Sequence, residues 1–189
     1  MACGLITKGR GLDCNRISGG IKNIYFAVYD QVLSTTVASA IVTDVDMGAS
    51  SIYKYVMPLG VSSLTDTIVG SRENGTIYYT PVLSVILNRL TKEDQNEVKL
   101  LGATRTIIFA ELNEQLVVNG HNVIVCLGIT NGMELNAGTM DSGAAWGDRN
   151  GYTLTFDGME VDPFPMVVDY TATPFDNLDS GAQIPIITS

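Results

Sequence analysis

The sequence predicts a mainly β fold: a β-sandwich or a rolled, barrel-like sheet, with one short packed α-helix and extended terminal arms. Three observations predict it. Runs of β-branched and aromatic residues recur at short intervals, separated by Asn-Gly, Asp-Gly and Pro. One stretch, opened by Thr91-Lys92-Glu93-Asp94, carries the start signal of a helix. A chain of 189 residues has room for one well-buried core.

The elements follow in order. Residues 1–20 hold five glycines (Gly4, Gly9, Gly11, Gly19 and Gly20) and read as an extended N-terminal arm. A β domain spans residues 21–170. Its first strand is Ile21–Tyr29, rich in Ile, Tyr, Phe and Val. Residues 31–49 supply one or two further strands, with a turn near Asp44–Gly48. Ser51–Leu59 alternates partly and ends at Pro58. Asp66–Val69 leads into Arg72-Glu73-Asn74-Gly75, and Asn-Gly is a strong hairpin signal. Thr76–Leu90 is a long strand with Pro81 as the place for a bend. Leu83, Val85 and Leu87 share one side of it.

Thr91 then caps a helix of about ten residues, with an acid at the third helical position. Glu93, Asp94 and Glu97 suit the positive end of its dipole, and Lys99 suits the other. Val98 and Leu101 form its buried stripe, helped by Leu100, and Gly102 is placed at C′. Strands follow at Thr104–Leu112, Gln115–Val118 and Val123–Ile129, with turns at Asn113-Glu114, Asn119-Gly120 and Asn131-Gly132. Residues 133–150 read as a long loop or two weak strands. Asn150-Gly151 is taken as a tight turn, and Asp157-Gly158 as another. Tyr152–Phe156 and Asp162–Tyr170 close the domain, making about nine strands. Residues 171–189, rich in Thr, Pro, Asp and Ser, read as an extended C-terminal arm.

Apolar residues make up 46% of the chain and charged residues only 16%. Soluble domains carry about 25% charged residues. Such sparse charge fits a large core, or surface that becomes buried against copies of the same chain. The net charge is −9, unevenly spread. Residues 1–22 hold Lys8, Arg10, Arg16 and Lys22 against Asp13. From Asp141 onward eight acids, among them Asp157, Glu160, Asp162 and Asp169, face the single base Arg149. The basic start and the acidic exit are expected to meet between neighbouring copies, because complementary patches steer encounter and fix register. An acidic chain disfavours ordinary nucleic-acid binding. The same charge suits a conduit that must repel phosphates rather than hold them.

No catalytic constellation stands out, and no cofactor or metal is expected. Glu160 and Asp162 share one face of an extended segment, about 7 Å apart by strand rise. A hydrolase would add aromatic platforms there, and only Phe164 qualifies. Asp44-Val-Asp46-Met-Gly48 begins like a calcium loop but lacks its closing Glu. One histidine, His121, offers no metal set and is placed in a turn. Cys3, Cys14 and Cys126 are an odd number, the start lacks the apolar core of a secretory signal, and both favour free thiols in a reducing compartment. Cys126, within the apolar run Val123–Leu127, reads as a core residue. No apolar run approaches the ~20 residues that span a bilayer.

Three segments carry a family resemblance. They are Asp66–Leu90 with the acidic helix after it, Thr106–Asn113 with its strand pair, and Gly138–Glu160, which contains Ala-Ala-Trp-Gly-Asp-Arg-Asn-Gly. In this order they resemble tail-tube and tube-like ring proteins of tailed bacteriophages. The opening Gly11–Phe26 is similar to structural proteins of phages infecting Bacteroidetes, including the crAss-like group. The resemblance implies a β-sandwich or rolled sheet flanked by a helix. It implies rings of six or twelve copies whose inner sheets join around a DNA channel, without specific DNA binding. It implies neighbouring tail, neck or portal-proximal virion proteins as partners, assembly in the bacterial host cytoplasm, a place in the virion tail or neck, and no enzymatic role. The alternatives are a capsid-decoration or fibre-attachment protein, or a carbohydrate-binding β-sandwich for host recognition that uses Trp146.

Overall fold

The computed structural model describes residues 9–11, 17–116 and 119–188. Among these, the chain runs β1 (Ile21–Val28), a short 3-10 turn (Tyr29–Gln31), β2 (Ser34–Ala38), β3 (Ile41–Asp46), β4 (Ile52–Val56), β5 (Ser63–Ser71) and β6 (Thr76–Asn88). It continues with α1 (Lys92–Leu101), β7 (Thr106–Gln115), β8 (Asn122–Leu127), β9 (Glu134–Asp141), β10 (Gly151–Asp157), β11 (Met166–Val167) and β12 (Ile186–Ile187). The strands form two sheets. One has eight strands in the order β12-β4-β1-β7-β8-β11-β3-β2, and the other has four in the order β5-β6-β10-β9. The fold is thus mainly β with a single α-helix and sandwich-like.

Strand periodicity explains the layering. Successive side chains of β1 point to opposite faces. Ile24 and Phe26 enter the layer between the sheets, while Tyr25 and Ala27 enter a second cluster behind the larger sheet. Every residue of β8 is buried. Strands apolar on both faces need cover on both, and the fold supplies it twice. The four-stranded sheet covers the front with Leu83, Val85, Tyr152, Leu154 and Phe156, and Phe26 meets Phe156 at 5.2 Å between ring centroids. The C-terminal segment covers the back with Phe175, Leu178 and Ile184. Each fully buried side chain of this size stabilises by about 1.5–3 kcal/mol.

The helix forms as its cap requires. The Asp94 amide donates to Thr91 Oγ1 at 3.1 Å, and the Thr91 hydroxyl donates to the Asp94 carboxylate at 2.6 Å. Val98 is its buried contact with the inter-sheet core and Leu101 is partly buried there, whereas Leu100, expected to help the stripe, points to solvent. Gly102 keeps a right-handed conformation (φ −72°) and bonds to Val98 and Leu100 carbonyls, so the left-handed ending expected of it is not used.

Several expectations are corrected. Residues 171–188 are not a free extended arm. Phe175 packs edge-on against Tyr25 at 4.9 Å and against Phe109 at 5.1 Å, and β12 pairs in parallel with β4. The Asp176 carboxylate accepts from the Thr171 hydroxyl and from the Thr171, Ala172 and Thr173 amides, which folds the segment's entry. Of the two readings of residues 133–150, the loop holds only after residue 141, because residues 134–141 form one full strand, β9, in place of two weak ones. The expected strand Asp162–Tyr170 is reduced to Met166–Val167, because Pro163 and Pro165 lack the amides a ladder needs. Asn113-Glu114 lies inside β7, beside an irregularity in its pairing with β8. Asn150-Gly151 is no turn: Gly151 begins β10 and pairs with Asn88 and Asp141. A Cβ there would run into the Leu87 carbonyl oxygen, so the glycine allows close strand approach. The N-terminal arm falls largely outside the described residues.

Candidate functional site

The four-stranded sheet presents the surface of greatest functional interest. Leu83 and Val85 of β6 are buried, so Val82, Ser84 and Ile86 between them face outward. Register then fixes their neighbours. Ser63 and Thr65 of β5 lie opposite Ser84 and Val82, and Thr67 lies opposite Thr80. Thr155 and Thr153 of β10 lie opposite Ser84 and Ile86. Ala137 and Thr139 of β9 lie opposite Thr155 and Thr153. The middle of this face is therefore hydroxyl-rich and carries no ionisable side chain of its own. Arg149 reaches it from the adjoining loop and donates to Thr153 Oγ1 at 2.6 Å. Acids lie at both ends, with Asp157 opposite Glu134 at one and Asp141 opposite Gly151 at the other.

Both outer strands of this sheet have one partner each among the described residues. Neither β5 (SLTDTIVGS) nor β9 (ELNAGTMD) carries Lys or Pro, although β9 is bulged at Asn136 and has an acid at each end. Lys and Pro are residues with which lone sheets commonly block edge pairing. All but one residue of β9 are exposed. Two edges open to solvent on one sheet, one of them interrupted by the Asn136 bulge, are a geometry that another chain could extend.

The residues expected to pair between copies are scattered by the fold. Lys8 and Arg16 lie outside the described residues, and Arg10 is exposed. Lys22 already has partners in its own chain, Glu111 at 3.3 Å and Asn122 at 3.1 Å. Asp157 accepts from Asn136 on the outer face at 3.0 Å. Asp169 meets His121 Nδ1 at 3.0 Å and the Asn119 amide, and the His121 ring stacks on Tyr170 at 4.3 Å. Glu160 is buried, and its carboxylate accepts from the Thr130 and Asn131 amides, each at 3.0 Å. It fastens the 128–132 loop. Asp162 is exposed. The acidic exit is thus not one continuous surface, because three of its four carboxylates hold their own chain.

Glu160 and Asp162 do come together in one place, the rim of a cavity of about 370 Å³. It opens where β11 stops short between β8 and the β2–β3 hairpin. Its walls are mostly apolar, with Val37, Leu127, Ile129, Pro163, Phe164 and Pro165. Cys126 also lines it, and burial first, then the Glu160 charge, pushes its thiol far above the usual range. A thiol so held is a poor nucleophile.

Sequence reading missed a buried carboxylate. Glu111 lies 3% exposed in β7, paired with Lys22 and accepting from Asn23 Nδ2 at 2.6 Å and the Tyr25 hydroxyl at 2.8 Å. Burial first, then the Glu111 charge, pushes the Tyr25 hydroxyl well above its ordinary value. Every partner lies on β1, so the group staples β1 to β7. The sequence signal was available: a Glu inside an otherwise apolar strand asks for a partner.

Trp146 stands at the tip of a folded loop, fully exposed. The Asp148 carboxylate accepts from the Ala144 and Ala145 amides at 3.0 and 2.7 Å, and these bonds hold its carboxyl below its usual range. The Gly143 amide donates to Asp141 at 2.9 Å. Among the described residues, no group of three or more His, Cys, Asp or Glu is gathered to hold a metal ion, and no helix is long and apolar enough to cross a membrane. No family model, curated protein or solved structure matches the chain significantly.

Proposed function

We propose that this chain is a virion structural protein of a tailed bacteriophage, closing with copies of itself into a ring or tube of the tail or neck. The observation that carries this reading is the four-stranded sheet: a hydroxyl-rich outer face between two solvent-open edges. Pairing β5 of one copy with β9 of the next would extend the ladder on either side of the Asn136 bulge. Repeated around a ring, it would line a channel with Ser and Thr. Such a wall offers phosphates no line of cations, so DNA would pass without being held. The resemblance of the three segments to tail-tube and ring proteins supports the same reading. Negative-stain microscopy of the purified protein at high concentration tests it. Rings with an open centre are expected, and particles of monomer or trimer size would overturn it.

A second reading, a carbohydrate-binding sandwich, is favoured by one observation, the exposed Trp146. Binding to cell-wall glycans that disappears in Trp146→Ala, with no rings formed, would establish it instead.

A further inference from the structure

We propose that Trp146 of one copy seats in the cavity beside Asp162 of the next, joining copies end to end along the strand direction. The inference deepens the assembly reading above, but it concerns stacking rather than ring closure.

The two features sit at opposite poles of the small sheet. Trp146 lies in the loop between β9 and β10, beyond the pole where Asp141, Gly151 and Asn88 pair. The cavity touches Pro81, one residue past the Asp157–Val82 pair that ends the other pole. The seven residues of β10 separate these poles by roughly 20 Å. A knob at one pole and a hole at the other make a heterologous contact, which builds an open stack when successive copies are related mainly by translation along the strand direction.

The chemistry of the two parts is complementary. The knob is a large aromatic ring, 108% exposed on a loop tied down by Asp148. Burying such a ring removes ~150–250 Å² from water. The cavity, about 370 Å³, offers prolines, Phe164 and aliphatic walls to receive it. Charge agrees as well. Arg149, three residues after Trp146, is the single base beyond residue 141. Asp162 at the cavity makes no ion pair among the described residues, whereas Glu160 beside it is already satisfied by two amides. Seating the ring brings Arg149 toward Asp162. Aromatic and arginine anchors of this kind dominate interface energies.

Trp146 is the chain's one tryptophan, so its emission reports the contact directly. The full-length protein is measured across a dilution series by tryptophan fluorescence, acrylamide quenching and sedimentation velocity. Emission is expected to shift to shorter wavelength, with quenching falling several-fold, as end-to-end stacks form. Trp146→Ala is expected to weaken stacking about thirtyfold, the loss of a hot-spot side chain. Asp162→Arg is expected to weaken it about tenfold, and adding Arg149→Asp in the same chain to restore it. Both sites are exposed, and circular dichroism checks that the variants fold. Stacking with unshifted emission, or undiminished in Trp146→Ala, overturns the proposal. So does emission that stays red at every concentration, or that shifts only when cell-wall oligosaccharide is added to dilute protein. Rings without tryptophan burial would remove this proposal and leave the ring reading standing. Stacks with buried tryptophan but no rings would do the reverse.

Discussion

The two sheets differ in how completely they are covered. The eight-stranded sheet has both faces covered within one chain, and only its end strands, β12 and β2, keep a single partner each among the described residues. The smaller sheet covers its front, and Phe175, Leu178 and Ile184 cover its back. The four-stranded sheet is covered on one face, and the other face and both edges stay open. Its open face is not apolar like a core cut in half but mostly Ser and Thr around Val82 and Ile86, and the hydroxyls tolerate water and still suit a lining wall. On the assembly proposed above, the larger sheet would serve stability and the smaller one contact. Substitutions in the two should behave differently.

The largest effect is expected behind the large sheet. Phe175→Ala removes a ring that touches both Tyr25 and Phe109. A loss of about 3–5 kcal/mol in urea unfolding is expected. Thr155→Val, on the open face, should change monomer stability by less than ~0.5 kcal/mol. Equal effects would dissolve the distinction. Next comes the junction between the sheets. Glu160→Ala strands the Thr130 and Asn131 amides and should cost about 1–3 kcal/mol. The cap is smaller: Thr91→Ala should cost ~0.5–2 kcal/mol by the same measurement.

The smallest effect is a local one with pH. The Thr171 hydroxyl first, then the amides of Thr171, Ala172 and Thr173, hold the Asp176 carboxyl far below its ordinary value. The folded value is lower than the unfolded one, near ~3.9. Its stabilisation is therefore fully present above the unfolded value and is lost as pH falls through the folded one. Carboxyl carbon shifts followed by NMR should show Asp176 still ionised when exposed carboxylates elsewhere are protonated. Titration together with them would show that the back cover is not fastened there.

The contrast between the sheets was partly legible in the sequence. Asn74-Gly75 announced the β5–β6 hairpin, and Thr91 with Asp94 announced the helix, because turns and caps are local chemistry. β9 was not legible. Asn136, Ala137 and Gly138 have weak strand preference, and pairing with β10 overrides it. The β2–β3 turn uses Ser39 and Ala40 at φ 53° and 63°, without the Gly or Asn that would mark it. The C-terminal cover was hidden because its three anchors are spread among Pro, Asp and Ser. The cavity joins residues 37–40, 126–130 and 160–165, a proximity created only by the short β11. The charged ends of the chain were visible, but not that Lys22 and Glu160 were already engaged.

The central claim is that the smaller sheet is completed by neighbouring copies through β5 and β9. Amide hydrogen exchange of those two strands, compared at low and high protein concentration, tests it most directly. The account predicts that amides along both edges gain protection together as the protein concentrates, while β7 and β8 stay unchanged. Edge amides that exchange at the same rate at every concentration, in particles that nevertheless assemble, would contradict it.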